Sequence, residues 1–301
     1  MEKDLYNFEH RWKLRDWINI NRLHININEN KNAMYFLESN PHFIHYGDLS
    51  SNPSALYLLE KNISEIYWPY LCLNHNAIHL IERNMHEIVD SEECWINLSS
   101  NPNAIHILEK NMDTSRAGHA TPQNGEVCKI DWDKLSTNPA AMHLLEKNME
   151  KINWRNLSKN PAAMHLLQQN MDKINWDEIS LNPAAMPLLC SQAAAEADMH
   201  LIEDNLNKIN WYFLYSNPAA MPLINRHAAT NKIGKLHWDS LSSNPSAIHL
   251  LENNQDKINW HNLSSNPAIF ELDYDFFRRR MDIIRDELLF KVWNPDNNNR
   301  T

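Results

Sequence analysis

Glycine is almost missing from this chain, with four residues among 301. A chain that rarely uses the residue most at ease at positive φ must turn by other means, and asparagine is the next choice for that position. Glycine-dependent catalytic loops are missing too: no Walker-type loop, GxGxxG, HExxH or GxSxG occurs. Cysteine is equally sparse. Cys72, Cys94, Cys128 and Cys190 stand apart without CxxC spacing, which excludes a zinc-finger pattern and a disulfide framework and suits reduced thiols in a cytosol-like compartment. No run approaches the roughly 18 consecutive apolar residues of a membrane span. Met1-Glu2-Lys3-Asp4 opens no apolar stretch, so no secretory signal is expected and sequons such as Asn97-Leu98-Ser99 are expected to be unused. Positive charge is also short, at 28 Lys and Arg against 38 Asp and Glu, and the net −10 disfavours a general nucleic-acid binder.

What the chain does have is a period. Asn138-Pro139, Asn160-Pro161 and Asn182-Pro183 follow one another at 22 residues, as do Asn244-Pro245 and Asn266-Pro267. Aligned on the proline, ten units appear, with Lys31, Pro53, His75, Pro102, Pro139, Pro161, Pro183, Pro218, Pro245 and Pro267 in the column and asparagine before it every time. A tryptophan recurs seven residues before the column as Trp68, Trp95, Trp132, Trp154, Trp176, Trp211, Trp238 and Trp260, with Tyr46 in the second unit and His24 in the first. Leu or Ile stands four before, from Ile27 to Leu263; alanine stands two after in all but the last unit, which has Ile269. A fixed period of this size marks a solenoid whose units bury their apolar faces only against neighbours.

Each choice has a physical reading. Asparagine before proline caps the free N–H groups of a helix start, and proline lacks only a donor that would be unpaired there. The run Ala162-Ala163-Met164-His165-Leu166-Leu167 has helical apolar spacing. Asn170 is then expected in the left-handed turn that ends the helix. Asn153 to Ser158 reads as a second, shorter helical turn, and no strand pattern is left over. The expectation is an all-α fold: an α-solenoid, a right-handed superhelix of one long α-helix plus one short α or 3₁₀ helix per unit.

The period breaks at insertions near 88–93, 113–128, 190–198 and 226–235. Pro187 and Pro222 fall where a helix is expected, which predicts late helix starts with those rings in the first turn. Residues 1–22 and 270–293 lie outside the register and are read as caps on the two ends of the 23–269 repeat array, the second as one amphipathic helix with Arg278, Arg279 and Arg280 largely on its wet side. Residues 294–301 are read as a disordered tail. Ten units at helix spacing would extend on the order of 90 Å.

The unit Leu-Ser-x-Asn-Pro-x-Ala-[Ile/Met]-His-Leu-Leu-Glu-x-Asn-x-x-Lys-Ile-Asn-Trp resembles the tandem repeats of uncharacterised proteins of giant DNA viruses of the mimivirus kind. The flanks Lys13 to Ile18 and Met281 to Leu288 resemble the flanks of the same proteins, so the likeness covers nearly the whole chain. That resemblance implies no catalytic residue. The Asn-Pro unit is more loosely similar to variant leucine-rich repeats, which alternate an α-helix with a 3₁₀ helix; the Trp column and the missing Thr-Pro depart from them.

Two columns invite a functional reading. His79, His106, His143, His165 and His249 stand four after the column, and His200 matches through a restarted motif. Helical geometry turns them outward beside Glu146, Lys147 and their equivalents, as a surface ladder with His–Glu contacts at i,i+3. A straight ladder cannot converge four ligands on one metal, so no metal or cofactor is expected. This ladder is the candidate partner-binding surface. The Trp column, by its regularity beside an inward Leu column, is read as repeat core and not as a stacking platform. The function expected is a non-catalytic scaffold for a protein partner. The alternatives are a structural or assembly component of a virus particle and, less favoured, a nucleic-acid repeat reader. No enzyme activity or membrane is expected, self-association is allowed for, and the expected place is the cytoplasm (the host's, for a viral protein) or the virion.

Overall fold

A computed structural model describes residues 11–116, 130–185, 208–230 and 236–293. It is an all-α repeat solenoid. In the sixth unit a helix Trp154–Ser158 leads to a 3₁₀ turn Pro161–Ala163, which runs into the helix Met164–Gln169 and then a second 3₁₀ turn Met171–Lys173. The helix after the proline is shorter than its apolar spacing suggests, because its first turn is wound as 3₁₀. Pro222 sits at the second residue of the helix Met221–Thr230, where its missing N–H costs nothing. Pro187 lies outside the described residues, as do residues 117–128 of the 113–128 insertion, the 190–198 insertion, residues 231–235 of the 226–235 insertion, His200 and the tail 294–301.

The core is a stack of identical ranks. The Leu/Ile column is sealed from Ile27 to Leu263, and the alanines Ala33, Ala55, Ala77, Ala104, Ala141, Ala163, Ala185, Ala220 and Ala247 are at most 1% exposed. Leu145, Leu167 and their equivalents close the rank from the other helix. Burying one such side chain is worth about 1.5–3 kcal/mol, but a single unit has only neighbours to bury it against.

The asparagine that ends the helix takes another route than the left-handed turn expected. Asn170 has φ −133° and ψ 55°, and its side-chain amide donates back to the Leu166 carbonyl at 2.9 Å. Asn62, Asn84, Asn111 and Asn148 make the same bond to the carbonyl four residues earlier. A side-chain donor satisfies the helix's last carbonyls without positive φ, so glycine is not needed there.

The two ends of the array meet. The strand β1 (Trp12–Leu14) pairs antiparallel with β2 (Phe270–Leu272), with Lys13 opposite Glu271. Arg15 donates to the Ala268 carbonyl at 2.8 Å and to Glu271 at 3.0 Å, and Arg11 lies 3.8 Å from Asp273. Residues 270–272, expected to begin a long helix, are therefore extended, because their backbone is claimed by β1. Instead of two open ends on a rod of 90 Å, the ten units form a closed ring. Its C-terminal helix, Tyr274–Trp293, leans on the body through Phe276, Phe277 and Ile284, and Arg280 is buried while Arg278 and Arg279 are exposed. Beyond Ile284 every side chain described on this helix is exposed, including Leu288, Phe290 and Trp293.

Candidate functional site: the interlocked ring and its two faces

Closure is carried by the column asparagine. In each unit its carbonyl oxygen accepts the N–H two residues on, as Ala162 N–H gives to Asn160 at 3.0 Å, which starts the 3₁₀ turn. Its amide nitrogen, buried, donates backwards into the preceding unit. Asn160 donates to the carbonyls of Ser136 at 3.0 Å and Asn138 at 3.1 Å; Asn182 donates to those of Ser158 and Asn160, both at 3.0 Å. Asn30, in the first unit, donates to Ser264 at 3.1 Å and Asn266 at 2.9 Å, in the tenth. Each of the ten column asparagines donates to its predecessor, counting the tenth as predecessor of the first.

A second belt runs through a serine three before the column. Ser136 and Ser158 each donate to the Trp carbonyl four residues back and accept the N–H that starts the next unit's Trp helix, from Asn153 at 3.0 Å and Asn175 at 2.9 Å. At the seam His24 N–H gives to Ser264 at 2.8 Å. This column was visible as the Ser of the repeated Leu-Ser-x-Asn-Pro, but a hydroxyl at a consensus position reads as surface until its burial is known. Cys72 replaces the serine in the third unit and abuts Cys94 of the fourth; both thiols are free and buried, and burial first, then Cys94, pushes the Cys72 thiol well up from its ordinary range.

The Trp column only half confirms its expected burial. Trp95 is sealed at 2% exposure, but Trp68, Trp132, Trp154, Trp176, Trp211, Trp238 and Trp260 are half-buried against the core. Over several open faces sits a cation from the next boundary: Lys151 over Trp132, Lys173 over Trp154, Lys208 over Trp176 and Lys257 over Trp238, 4.3–5.3 Å from the ring centres. Arg22 covers Trp260 across the seam at 4.5 Å.

The histidine ladder is on the surface, as expected, but its bonds differ. His79, His106, His143 and His165 reach back to Glu60, Glu82, Glu109 and Glu146 of the preceding unit at 2.8–2.9 Å, not to their own helix. Among the described residues only His249 approaches a glutamate at i,i+3, Glu252, at 3.9 Å. The i,i+3 contact loses because ring stacking brings the neighbour's carboxylate nearer. Glu146 and Lys147 are exposed. Two long side chains are needed to span this row, whereas one short amide spans the asparagine row. Spacing in a ring grows with radius, so the histidine row is the outer rim and the Asn–Pro row lies towards the axis.

The other face is the exposed side of the Trp helices. There Glu178, nearly buried, takes Arg155 at 3.0 Å and Lys159 at 3.6 Å from the unit before. Glu29 of the first unit is open to solvent yet crowded by protein; that desolvation raises its carboxyl pKa, Asp48 raises it further, and His261 of the tenth unit opposes both. Among the described residues no group of three His, Cys, Asp or Glu side chains is arranged to hold a metal, and no helix is long and apolar enough to cross a membrane. Compared with protein-family models, with curated proteins and with solved structures, the chain matches none.

Proposed function

We propose that this protein is a non-catalytic scaffold whose closed ring presents surface positions to a protein partner. The observation that carries the reading is where the units differ. Asn, Ser, Leu and Ala are spent on the ladder and the core, and they repeat. The position after the Trp column varies freely, from Gly47 and Pro69 to Asp133, Arg155, Tyr212 and His261. Uniform support beneath variable surface groups is how repeat proteins obtain recognition without altering the frame. The rim row of His143, His165, Glu146 and Lys147 adds a second exposed surface to the same reading. The test is affinity purification from native cells, then cross-linking of the identified partner onto the full chain. Cross-links on either ring face support the scaffold, and turnover of a small molecule with no bound protein ends it.

Assembly with further copies is the second reading, favoured by the uncovered apolar half of the C-terminal helix, where Phe290 is 71% and Trp293 78% exposed. Sedimentation of the full chain beside one ending at Ile284 decides it: a multimer lost on truncation supports this reading, and a monomer at high concentration removes it.

A further inference from the structure

Units three and eight depart from the consensus together, and closure sets them opposite one another, five units apart in either direction. Both lack the belt serine, with Cys72 and Tyr215 buried in its place. Both are followed by a 27-residue interval, from His75 to Pro102 and from Pro218 to Pro245. Both also raise aromatic rings on the Trp-helix face. In unit three Tyr67 is 43% and Tyr70 36% exposed, edge-on to each other at 4.9 Å. In unit eight Tyr212 is 48% exposed and meets Phe213 edge-on at 5.7 Å. At these positions the remaining units expose Ile25 and the histidines His45, His237 and His261, and otherwise carry charged, small or covered side chains; none carries tyrosine or phenylalanine there.

Between the two aromatic poles, the arc that crosses the seam is acidic. Its Trp helices carry Glu29 and Asp239 exposed and Asp48 half-buried, and no lysine or arginine. Glu29 and Asp48 belong to adjacent units, and Asp48 adds to the desolvation that raises the Glu29 carboxyl pKa while His261 opposes it; His45 Nδ1 lies 3.0 Å from Asp48, and Arg22 is already engaged over the Trp260 ring. The other arc is mixed in charge: Glu92, Glu93, Asp133 and Asp177 are exposed beside Lys134 and Arg155, and Arg155 and Lys159 hold Glu178.

Building on the scaffold reading, we propose that the Trp-helix face binds an extended polypeptide segment with apolar or aromatic side chains at two separated points and lysine or arginine between them. Exposed tyrosines are the side chains that most often anchor such contacts, because they bury much area with little rotamer entropy. A ring locked by a belt of ten asparagines is already ordered, so little is lost in fixing the receptor. A cation arriving between Glu29 and Asp48 relieves their mutual repulsion.

The probe is a fluorescent eighteen-residue synthetic peptide with phenylalanines near both ends and a Lys-Arg-Lys centre, long enough when extended to follow the arc between the poles, titrated into the full chain by fluorescence anisotropy. Two companions replace the basic centre with glutamates or the phenylalanines with serines. The basic aromatic peptide is expected to bind best, Tyr67→Ala and Tyr212→Ala each to weaken it about fivefold or more, and Glu29→Gln with Asp48→Asn to weaken it about tenfold and flatten its salt dependence. Asp172→Asn, on the exposed 3₁₀ turn Met171–Lys173, is the control and should bind unchanged. Circular dichroism confirms that each variant is folded, and the two tyrosines are exposed enough that their loss leaves the core intact. Equal binding of all three peptides, no binding of any, or wild-type binding by Tyr67→Ala and Tyr212→Ala overturns the proposal. If the cellular partner remains bound to the tyrosine variants and cross-links to the rim, the scaffold stands and this face does not; if the tyrosine variants release it, both stand.

Discussion

The junction between units five and six and the seam between units ten and one use the same bonds at very different sequence distance. Asn160 and Asn138 are 22 residues apart, while Asn30 and Asn266 are 236 apart. An ordinary junction is held in place by the chain that runs through it, so its bonds form at little entropic cost. Closing the long loop costs about 2 kcal/mol more than closing the short one, if the cost grows with the logarithm of loop length. The seam is also where extra contacts appear: β1 against β2, Arg15 on Ala268 and Glu271, Arg11 beside Asp273. Each net bond contributes about 0.5–1.5 kcal/mol, so the clasp is of the size needed to offset the missing covalent link. Recognition between units is therefore the same everywhere, and the clasp makes up for what connectivity supplies elsewhere.

The sharpest way to break that equivalence is to remove the asparagine on each side of the comparison. Asn160→Ala leaves the Ser136 carbonyl and the Ala162 N–H without their partners and takes from the Asn138 carbonyl one of its two donors, a loss of about 2–4 kcal/mol by the usual cost of stranded buried groups. Asn30→Ala should cost as much in urea unfolding. If it costs under about 1 kcal/mol, the seam is open in solution and the ring is not the native form.

How much of this was legible beforehand follows from the same two residues. The column containing Asn160 was readable because its role as a helix start is local, set by the proline and alanines that follow it. Its amide nitrogen, which does the joining, was not, since its acceptors lie one unit away and no residue type marks an acceptor carbonyl. Closure was less visible still. It is the sum of small rotations between units, and no single position encodes that sum. A trace was present: the first unit keeps Asn30, whose amide would have no preceding unit to join in an open array, and the tenth keeps Ser264, whose hydroxyl would have no following N–H to accept. The site fared similarly. The histidine column was read as surface and lies there, whereas the tryptophan column, read as core, is half-buried in every unit but that of Trp95; the partners of both, a glutamate and a lysine of adjacent units, required the stacking.

The clasp comes next in size. Arg15→Ala removes bonds to the Ala268 carbonyl and to Glu271, about 1–2 kcal/mol in all. Its distinguishing signature is location: amide exchange should quicken in units one and ten while units five and six stay protected. Uniform quickening around the ring would mean that the clasp stabilises the whole body and not the seam. A smaller and matched effect is expected for the cations over tryptophan. Lys151→Met at an ordinary junction and Arg22→Met at the seam should each cost about 0.5–1 kcal/mol in thermal unfolding, the cost of losing one cation–π contact at an exposed site. A loss at Lys151 with none at Arg22 would show that the belt of cations stops short of the seam.

The smallest expected effect is also the one that only the seam can show. Glu29 is crowded by protein and faces Asp48, and both raise its carboxyl pKa above the 4.5 of a free side chain, with His261 opposing. A carboxyl with a higher pKa in the folded chain holds its proton more tightly when folded. Folding is therefore favoured at acidic pH, and that advantage is lost as pH rises from the unfolded value through the folded one. At neutral pH the ionised carboxylate weakens the closed ring, so Glu29→Gln should raise Tm there, and the gain should shrink to nothing as pH falls below about 4. Asp48→Asn should move Tm in the same direction at neutral pH by removing the like charge. A Tm that drops for Glu29→Gln at neutral pH would mean that His261 holds the carboxylate more strongly than desolvation opposes it, and the seam would then be tied by an ion pair across units one and ten instead of strained by an uncompensated charge.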